Sequence, residues 1–206
     1  MQPTLERFDP ERHSPRAVAR LIYQADPSLM RFVFGEEAAA VPVIAALVGM
    51  EHNDYAAHRV LCALDGDETV GVIAGLTGAE RREAKQAAGT EWSRALGLRG
   101  MARAIRWGPK LEKVATADLR DEEFYISALT VDERYRGQGI GSLLLGAVLA
   151  EHDSVVTDVN IAKDDAIRFY ERHGFEIGEK MTFAHKGEEL GNFQIRRAAG
   201  GERTAP

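Results

Sequence analysis

The chain has 206 residues, of which 45% are hydrophobic and 28% are charged. This composition is typical of one globular domain with a sizeable core and argues against disordered and fibrous proteins. A formal net charge of -6 argues against a nucleic-acid-binding protein, so small molecules or protein segments are the expected partners.

The N-terminal segment MQPTLERFDPERHSP is charged and lacks the apolar core of a signal peptide. The longest apolar stretch, Ala38 to Met50, contains Pro42 and spans roughly thirteen residues. A stretch of this length is too short to span a membrane. The single cysteine, Cys62, lies in an apolar run and is expected to be a buried, inert thiol in a reducing compartment. We therefore expect a soluble cytoplasmic protein with no membrane partner.

The first part of the chain predicts a strand, two helices and a hairpin. Thr4 to Phe8 is the candidate strand. Apolar periodicity predicts a helix over Arg16 to Ala25, ended by the following Asp-Pro pair, and a second helix from about Glu36 to Met50. Val60 to Leu64 and Thr69 to Leu76 flank the turn sequence DGDE and should pair antiparallel.

Helical periodicity then continues from about residue 78 to 120. Pro109 is expected to stop or bend the second helix of this segment. One apolar face is marked by Ala84, Ala87, Ala88, Trp92, Ala95 and Leu96, and another begins with Met101, Ala104 and Ile105.

The segment Glu123 to Val131, EFYISALTV, is apolar on both alternating faces and is the candidate central strand. Helices and strands alternate after this strand, so the order of elements is mixed α/β. The later predicted elements are a helix from Ser142 to Glu151, a strand from Ser154 to Asn160, a helix from Asp164 to His173, and a hairpin of Phe175 to Phe183 with Phe193 to Arg197.

A glycine-rich loop, RGQGIGSLLL, joins the central strand to the next helix. Its amides lie at a helix N-terminus, where unpaired donors and the helix dipole bind phosphate oxygens. Gly139 and Gly141 are expected to adopt positive φ and to let an anion approach the backbone. The loop therefore predicts a pyrophosphate site, and a glycine turn with no ligand is the alternative.

Two familiar phosphate loops do not fit this segment. A Walker loop needs a lysine before its Ser or Thr, and Ile140-Gly141-Ser142 supplies none. A dinucleotide loop spaces its glycines G-x-G-x-x-G and needs an acidic residue at the end of the next strand. Here Gly137, Gly139 and Gly141 alternate, and the next strand ends in Asn160.

Two blocks of the sequence resemble the GNAT family of acetyl-CoA-dependent N-acetyltransferases. In ALTVDERYRGQGIGSLLL, the residues Arg136, Gly139 and Gly141 match the family's phosphate loop, R/Q-x-x-G-x-G/A. In DVNIAKDDAIRFYERHGF, a tyrosine comes shortly before a Gly-Phe pair, as it does in the family. The resemblance covers roughly Glu122 to Arg197, with a looser fit before Thr77.

The resemblance implies an α/β (α+β) fold of GNAT type, with a mixed, mostly antiparallel central sheet flanked by helices. Two central strands would diverge to form a V-shaped cleft for acetyl-CoA. Residues 1–206 would form one N-acetyltransferase domain, with a helical insertion at about 78–120 and a mobile tail at 198–206.

The resemblance also implies which residues hold the coenzyme. Main-chain groups of Leu129 and Val131, with Thr130 between them, would bind the pantetheine arm. Asn160 would bind that arm or the substrate. The pyrophosphate would be held by the loop residues Arg136, Gly137, Gln138, Gly139, Ile140, Gly141 and Ser142.

Two further positions allow two interpretations each. Phe169 would either wall the coenzyme groove or pack in the core. Lys163 stands where many relatives carry a second asparagine, and it would either meet a phosphate of the coenzyme or remain solvated.

Amide transfer from a thioester needs a neutral amine, donors for the developing oxyanion and a proton for the departing thiolate. Tyr170 resembles the family's general acid, and a phenol with a pKa of about 10 stays protonated at neutral pH. The alternative for Tyr170, on an amphipathic helix, is packing in the core. Glu123 occupies the place of the base in some relatives, with Glu122 and His58 as weaker competitors. The alternative for Glu123 is a solvated strand end.

The insertion is basic within an acidic protein and allows two interpretations. A helical lid would bring Trp92 or Trp107 and some arginines to the substrate. A helical hairpin would instead pack its alanine and tryptophan face on the core or on a second subunit of a homodimer, with its charges solvated, and we favour this second interpretation. The basic residues are Arg81, Arg82, Lys85, Arg94, Arg99, Arg103, Arg106, Lys110 and Lys113.

The six histidines show no close metal-ligand pairing, so no metal is predicted. The predicted function is transfer of an acetyl group from acetyl-CoA to a primary amine of a small molecule or protein, by direct attack in a ternary complex. The alternative is a non-catalytic acyl-CoA-binding sensor or interaction module. A longer acyl chain is compatible with the same two blocks, and the acceptor depends on loops outside them.

Overall fold

A computed structural model describes residues 3–87 and 89–198 of the chain. Ala88 and the segment 199–206, which carries most of the tail predicted above, lie outside the described residues. The strands are β1 (Thr4–Arg7), β2 (Val60–Asp65), β3 (Glu68–Thr77), β4 (Phe124–Val131), β5 (Val155–Asn160), β6 (Glu176–His185) and β7 (Glu188–Arg197). The helices are α1 (Pro15–Ala25), α2 (Pro27–Phe34), α3 (Glu37–Val48), α4 (Gly78–Ala87), α5 (Gly89–Leu111), α6 (Ile140–Glu151) and α7 (Asp164–Arg172).

The seven strands form one sheet in the order β1-β2-β3-β4-β5-β7-β6. Every neighbouring pair is antiparallel except β4 and β5, which run parallel. The predicted mixed, mostly antiparallel sheet flanked by helices is confirmed, as is the hairpin of β2 and β3.

One helix was missed by the sequence analysis, which treated Asp26-Pro27 only as the end of α1. The Asp26 side chain accepts a hydrogen bond from the Leu29 amide at 3.2 Å, and Pro27 occupies the first turn of α2. An aspartate cap followed by proline is a helix start as well as a stop. The predicted helix from Glu36 to Met50 corresponds to α3, which begins one residue later and ends at Val48.

The parallel strands β4 and β5 separate soon after they begin. Their paired residues run only from Phe124 and Val155 to Ile126 and Thr157. Beyond this point β4 continues to Val131 and β5 to Asn160 without pairing to each other. The two strands therefore form a V whose vertex lies at Ile126 and Thr157.

Ser127 is a β-bulge directly after the vertex, because Ala74 and Gly75 of β3 face Ala128 and Ile126. Because the bulge adds one residue to β4, the side chains beyond it alternate between the two faces of the sheet in the opposite order. Ile126 and Leu129 pack with α6 and α7, whereas Ala128 packs with α1 and α3. The V is thus lined by different helices on its two faces.

The core on the α1 and α3 face includes Cys62, which is fully buried. Burial raises the pKa of its thiol to about 12, and an undissociated thiol is unreactive. The predicted buried cysteine is confirmed. Among the residues described, no helix is long and apolar enough to cross a bilayer.

The helical insertion packs against α2 and α3. Its helix α5 is kinked at Gly97, which has φ of 59°. Trp92 stacks on Phe34 at a centroid distance of 5.8 Å, and Trp107 contacts Phe32 at 4.7 Å. The favoured interpretation, packing of the tryptophan face on the core, is confirmed for Trp92. Association with a second subunit stays a prediction.

Candidate active site

The open edge of β4 presents main-chain groups to the cleft. The Asp132 amide donates to the Val70 carbonyl of β3 at 2.8 Å. Because bonding alternates along an antiparallel pair, Thr130 turns its main-chain groups toward β3, whereas Leu129 and Val131 turn theirs toward the diverging β5. Arg136 Nε accordingly reaches the Val131 carbonyl at 3.1 Å. Leu129 and Val131 suit the predicted role at the pantetheine arm, and Thr130 does not.

The glycine loop ends in a helix N-terminus with free donors. Gly139 caps α6 with φ of 80°, and the first main-chain bond of the helix runs from the Leu143 amide to the Gly139 carbonyl at 3.0 Å. The amides of residues 140–142 therefore have no acceptor within the helix, and no described side chain caps it. Such amides can hold an anion.

The helix starts at Ile140, two residues earlier than predicted, and this changes the glycine assignment. Positive φ belongs to Gly137, at 75°, and to Gly139. Gly141 lies inside the first helical turn and does not need it, so that part of the prediction is wrong. The side chain of Ile140 is buried in the core, which leaves only its amide for a ligand.

Packing within the protein does not require a glycine at position 141. A Cβ atom placed there would lie 3.5 Å from the Phe169 ring and 3.9 Å from Val131 Cγ2, which are ordinary contacts. The absent side chain leaves a slot between the loop and the half-buried Phe169. His173, 4.5 Å from that ring, bonds Ser142 Oγ at 3.1 Å. This slot favours the interpretation of Phe169 as a wall of the coenzyme groove.

Cationic side chains surround the mouth of the cleft. A cavity of about 610 Å³ is lined by Arg20, Arg134 and Arg136 together with Asp132. Asp132 is within 3.4 Å of Arg20 and 3.1 Å of Arg134, so the carboxylate already pairs two of the three cations. Arg136 is exposed and bonds only a main-chain carbonyl among the described residues. It is the cation best placed to meet a phosphate.

Lys163 bonds within the protein in this structure. Its ammonium group donates to the Ala25 carbonyl at the end of α1, and burial lowers its pKa. The ammonium group is therefore engaged at the end of α1, and its predicted contact with a phosphate of the coenzyme stays a prediction.

Asn160 ties the end of β5 to the start of α2. Its amide nitrogen donates to the Asp26 carboxylate at 3.2 Å and to Ser28 Oγ at 2.7 Å, and its oxygen accepts from the Ala162 amide at 3.0 Å. All of these partners belong to the protein. Asn160 thus holds α2 against the open end of the V, and its predicted contact with the coenzyme or substrate stays a prediction.

Tyr170 lies at the vertex of the V, on the face covered by α6 and α7. Its side chain is 5% exposed, and its hydroxyl contacts that of Thr157, the last residue of β5 to pair with β4. Thr157 Oγ1 donates to the Ile126 carbonyl at 3.0 Å. Burial raises the pKa of Tyr170. The phenol is therefore held protonated at the point where the strands part.

Glu123 is buried at the closed end of the V, about 10 Å of strand away from the vertex. Its carboxylate accepts from Arg120 Nη2 at 2.8 Å, the Arg120 amide at 2.9 Å and Ser154 Oγ at 3.2 Å, and Arg196 Nε lies 3.4 Å away. Burial alone would raise its pKa, but the bonds from Arg120 and the charge of Arg196 lower it. The prediction of a solvated strand end is wrong, because Glu123 is buried. Its distance from the vertex and its bonds to Arg120 do not suit a general base.

The two other candidates for the base, Glu122 and His58, are both exposed. Glu122 precedes β4 and lies even farther from the vertex than Glu123, with its carboxylate 3.7 Å from Arg120 Nε.

The other face of the vertex carries polar side chains that the sequence analysis missed. The bulge residue Ser127 donates from its hydroxyl to Asp54 at 3.5 Å, and Arg81 Nε lies 3.8 Å from the same carboxylate oxygen. The Arg81 guanidinium stacks over Tyr125 at 4.0 Å, and the Tyr125 hydroxyl donates to Asp158 at 2.7 Å. Two carboxylates therefore flank the vertex on the α1 and α3 face.

The two carboxylates differ in the number of hydrogen bonds that they accept. Asp158 also accepts from the Thr116 amide at 2.9 Å and from Thr116 Oγ1 at 2.6 Å, so it is surrounded by donors. The Asp54 side chain is 28% exposed and has long contacts only. Arg81 Nε has no hydrogen-bond partner within the described part of the chain. Asp54 is the carboxylate open to a cationic ligand.

Comparison with known proteins agrees with this geometry. A family model described as an acetyltransferase (GNAT) domain matches residues 100–177. A solved structure described as an acetyltransferase is 21% identical, with a TM-score of 0.64 over 95% of this chain and 99% of that one. An N-acetyltransferase from Staphylococcus aureus is 15% identical, with a TM-score of 0.64 over 94% and 99%. A GNAT family acetyltransferase from Elizabethkingia anophelis with acetyl-CoA bound is 15% identical, with a TM-score of 0.53 over 95% and 97%.

A shorter match joins the chain to a much longer protein. Sixty residues are 34% identical to a probable serine/threonine-protein kinase from Dictyostelium discoideum, covering 28% of this chain and 8% of that protein. The resemblance found in the sequence is confirmed: residues 100–177 match the model of a GNAT acetyltransferase domain, and the chain has the fold of the GNAT acetyltransferases.

Proposed function

We propose that the protein transfers an acetyl group from acetyl-CoA to a primary amine of a small molecule or protein. The observation that carries this proposal is the arrangement at the V of β4 and β5. Free amides and a glycine slot lie at its mouth, and a buried phenol lies at its vertex. The acetyl-CoA bound in the Elizabethkingia structure supports the choice of coenzyme.

The residues at the mouth fit coenzyme A. The amides of residues 139–142 and the exposed Arg136 would hold its phosphates. The outward-facing main-chain groups of Leu129 and Val131 would orient the pantetheine arm as a further strand would. When bound, the coenzyme supplies an acetyl thioester, an activated acyl group with a thiolate as its leaving group.

Tyr170 would supply a proton to the leaving thiolate. Its raised pKa keeps the proton on Oη throughout the neutral range. Enclosure by Phe169 and Phe175, with ring centroids 5.2 and 5.1 Å away, fixes the direction of the phenol. A fixed donor in a dry site loses little free energy to reorganisation when the charge develops.

Asp54 would receive the amine on the opposite face. A carboxylate open to solvent beside the bulge attracts the ammonium form of an acceptor and can accept its proton. Proton acceptor and proton donor would then lie on opposite faces of the vertex, so each can act on its own side of the reacting carbonyl. This role replaces the one predicted for Glu123.

The test is release of coenzyme A from acetyl-CoA over a panel of primary amines, with acetylated product identified by mass. We expect amine-dependent release in the wild type and its loss in Tyr170→Phe. Binding of acetyl-CoA without release on any amine would instead identify a non-catalytic acyl-CoA sensor.

A further inference from the structure

A second cavity lies beside the acceptor face, between α2, the end of α5 and the tip of the β6–β7 hairpin. It has a volume of about 420 Å³, and we call it the distal pocket. Its aromatic walls are Phe32, Trp107 and His185. Phe32 lies 4.7 Å from Trp107 and 5.3 Å from His185, and Trp107 lies 5.0 Å from His185 with the rings nearly perpendicular. This corner suits a planar, largely apolar group.

The rim of the distal pocket is cationic. Arg31, Arg103 and Lys186 line it, against Glu36 and Glu188. Within the described ranges none of these three cations forms an ion pair, and Arg103 is bonded only to the Phe34 carbonyl, at 3.4 Å. Three unpaired cations in one concave site attract an anion.

A fourth cation strengthens this bias. Lys110 Nζ lies 5.0 Å from the centre of the Trp107 ring. Burial, followed by the charges of Lys186, Lys110 and Arg31, lowers the pKa of His185, which keeps that ring neutral at pH 7. The pocket therefore combines a neutral aromatic floor with a positive rim.

Helix α2 connects the distal pocket to the reaction cleft. Ser28 accepts a hydrogen bond from Asn160 at the open end of β5. Phe32 follows four residues later on the same face of the helix, about 6 Å along its axis. Its ring lies 6.0 Å from Phe183 of β6. Helix α2 thus joins the open end of β5 to the aromatic corner over about 6 Å of helix axis.

We propose that the distal pocket binds the far end of the acceptor, and that the acceptor is a small primary amine with a planar apolar body ending in a carboxylate or phosphate. The proposal rests on the proposed function for the identity of this ligand as the acetyl acceptor. A polyamine would place a second ammonium group among the rim cations and is disfavoured. The basic insertion acquires a role here, since Arg103 and Trp107 both come from α5.

The test compares amines that differ only in the far group. The pair is para-aminomethylbenzoate and its neutral carboxamide, with para-aminomethylphenylphosphonate as the phosphate arm. Dissociation constants measured by calorimetry in the presence of coenzyme A should be at least about tenfold lower for the anions than for the carboxamide, because charge-assisted bonds outweigh neutral ones. The anion that binds more tightly shows whether the pocket prefers a carboxylate or a phosphate-like group.

Matched variants locate the effect. Arg31→Gln and Lys186→Gln each remove one rim charge and should reduce the preference for the anion several-fold. Arg99→Gln removes an exposed charge from the same insertion, away from the pocket, and should leave the preference unchanged. Equal affinity for benzoate and carboxamide, or the same loss in Arg99→Gln as in Arg31→Gln, overturns the proposal.

The outcome is separable from that of the proposed function. Turnover of neutral and anionic amines at equal rates, with equal affinities, would leave the acetyltransferase standing and remove the distal pocket from acceptor recognition. Arg31-dependent binding of the benzoate without release of coenzyme A on any amine would keep the pocket as an anion site and reject the transferase.

Discussion

The two sides of the cleft are built in different ways. The coenzyme side consists of main-chain groups and glycines from one continuous stretch, β4, the loop and the start of α6. The acceptor side consists of side chains that come from distant parts of the chain, such as Asp54, which lies 73 residues from its partner Ser127. A backbone site of this kind leaves a sequence pattern, whereas a side-chain site assembled by folding leaves none.

The largest expected effect concerns the vertex, where the two sides meet. Tyr170→Phe removes only the hydroxyl from a buried ring, so we expect turnover to fall about a hundredfold or more, with the affinity for acetyl-CoA unchanged. Steady-state rates and calorimetric titration measure the two quantities separately. Tyr135→Phe, which loses a surface bond to Glu68, is the control and should retain full turnover. Equal turnover in both variants would contradict the role given to Tyr170.

A substitution in the glycine slot should damage the coenzyme side alone. Gly141→Leu places a side chain toward Phe169, and we expect the affinity for acetyl-CoA to fall about tenfold or more as the loop amides become obstructed. Gly146→Leu makes the same change on the exposed side of the same helix, where an added Cβ meets nothing within 4 Å. If both variants bind acetyl-CoA as the wild type does, the slot is not the coenzyme site.

The Asp54→Asn variant tests the acceptor side of the cleft. The amide keeps the shape of the carboxylate but cannot accept the amine proton, so kcat/KM for the amine should fall about tenfold or more. The affinity for acetyl-CoA should be retained, because Asp54 lies on the other face. Asp67→Asn, in the exposed β2–β3 turn, provides the charge-matched control. A fall in coenzyme affinity equal to the fall in kcat/KM would show that the two faces are not separate.

The smallest catalytic effect is expected at Glu123. Glu123→Gln should leave the pH profile of turnover unchanged, while the free energy of unfolding falls by about 1–3 kcal/mol because a buried charge-assisted network loses its acceptor. The pKa of Glu123 is lowered in the folded state, so its contribution is complete above the unfolded pKa near 4.3 and is lost on further acidification. The difference in stability between variant and wild type should therefore shrink below about pH 4.5. Loss of the acidic limb of the turnover profile in the variant would restore Glu123 as the base.

The same contrast explains what the sequence could and could not predict. The strand β4, the loop and the position of Tyr170 follow from local patterns that the fold preserves. The burial of Glu123 does not, because it depends on Arg196 from β7, a strand that pairs with β5 rather than with β4. The orientation of Lys163 depends likewise on the end of α1, far away in the chain.

The missed helix α2 had the largest consequence for function. Its start at Asp26 and Pro27 was present in the sequence, but the pair was assigned only to the end of the preceding helix. Phe32 and Arg31 therefore belong to no predicted element, and no sequence pattern brings them near Trp107. The cap and first-turn preferences were sufficient to find α2, whereas the distal pocket itself required the tertiary structure.

A crystal structure of the protein with acetyl-CoA tests the central claim most directly. The diphosphate should lie within hydrogen-bonding distance of the amides of residues 139–142, and the thioester sulfur should face the Tyr170 hydroxyl between the diverging strands. Coenzyme bound elsewhere, or a sulfur atom turned away from Tyr170 with the phenol still closed in beside Thr157, would contradict the account.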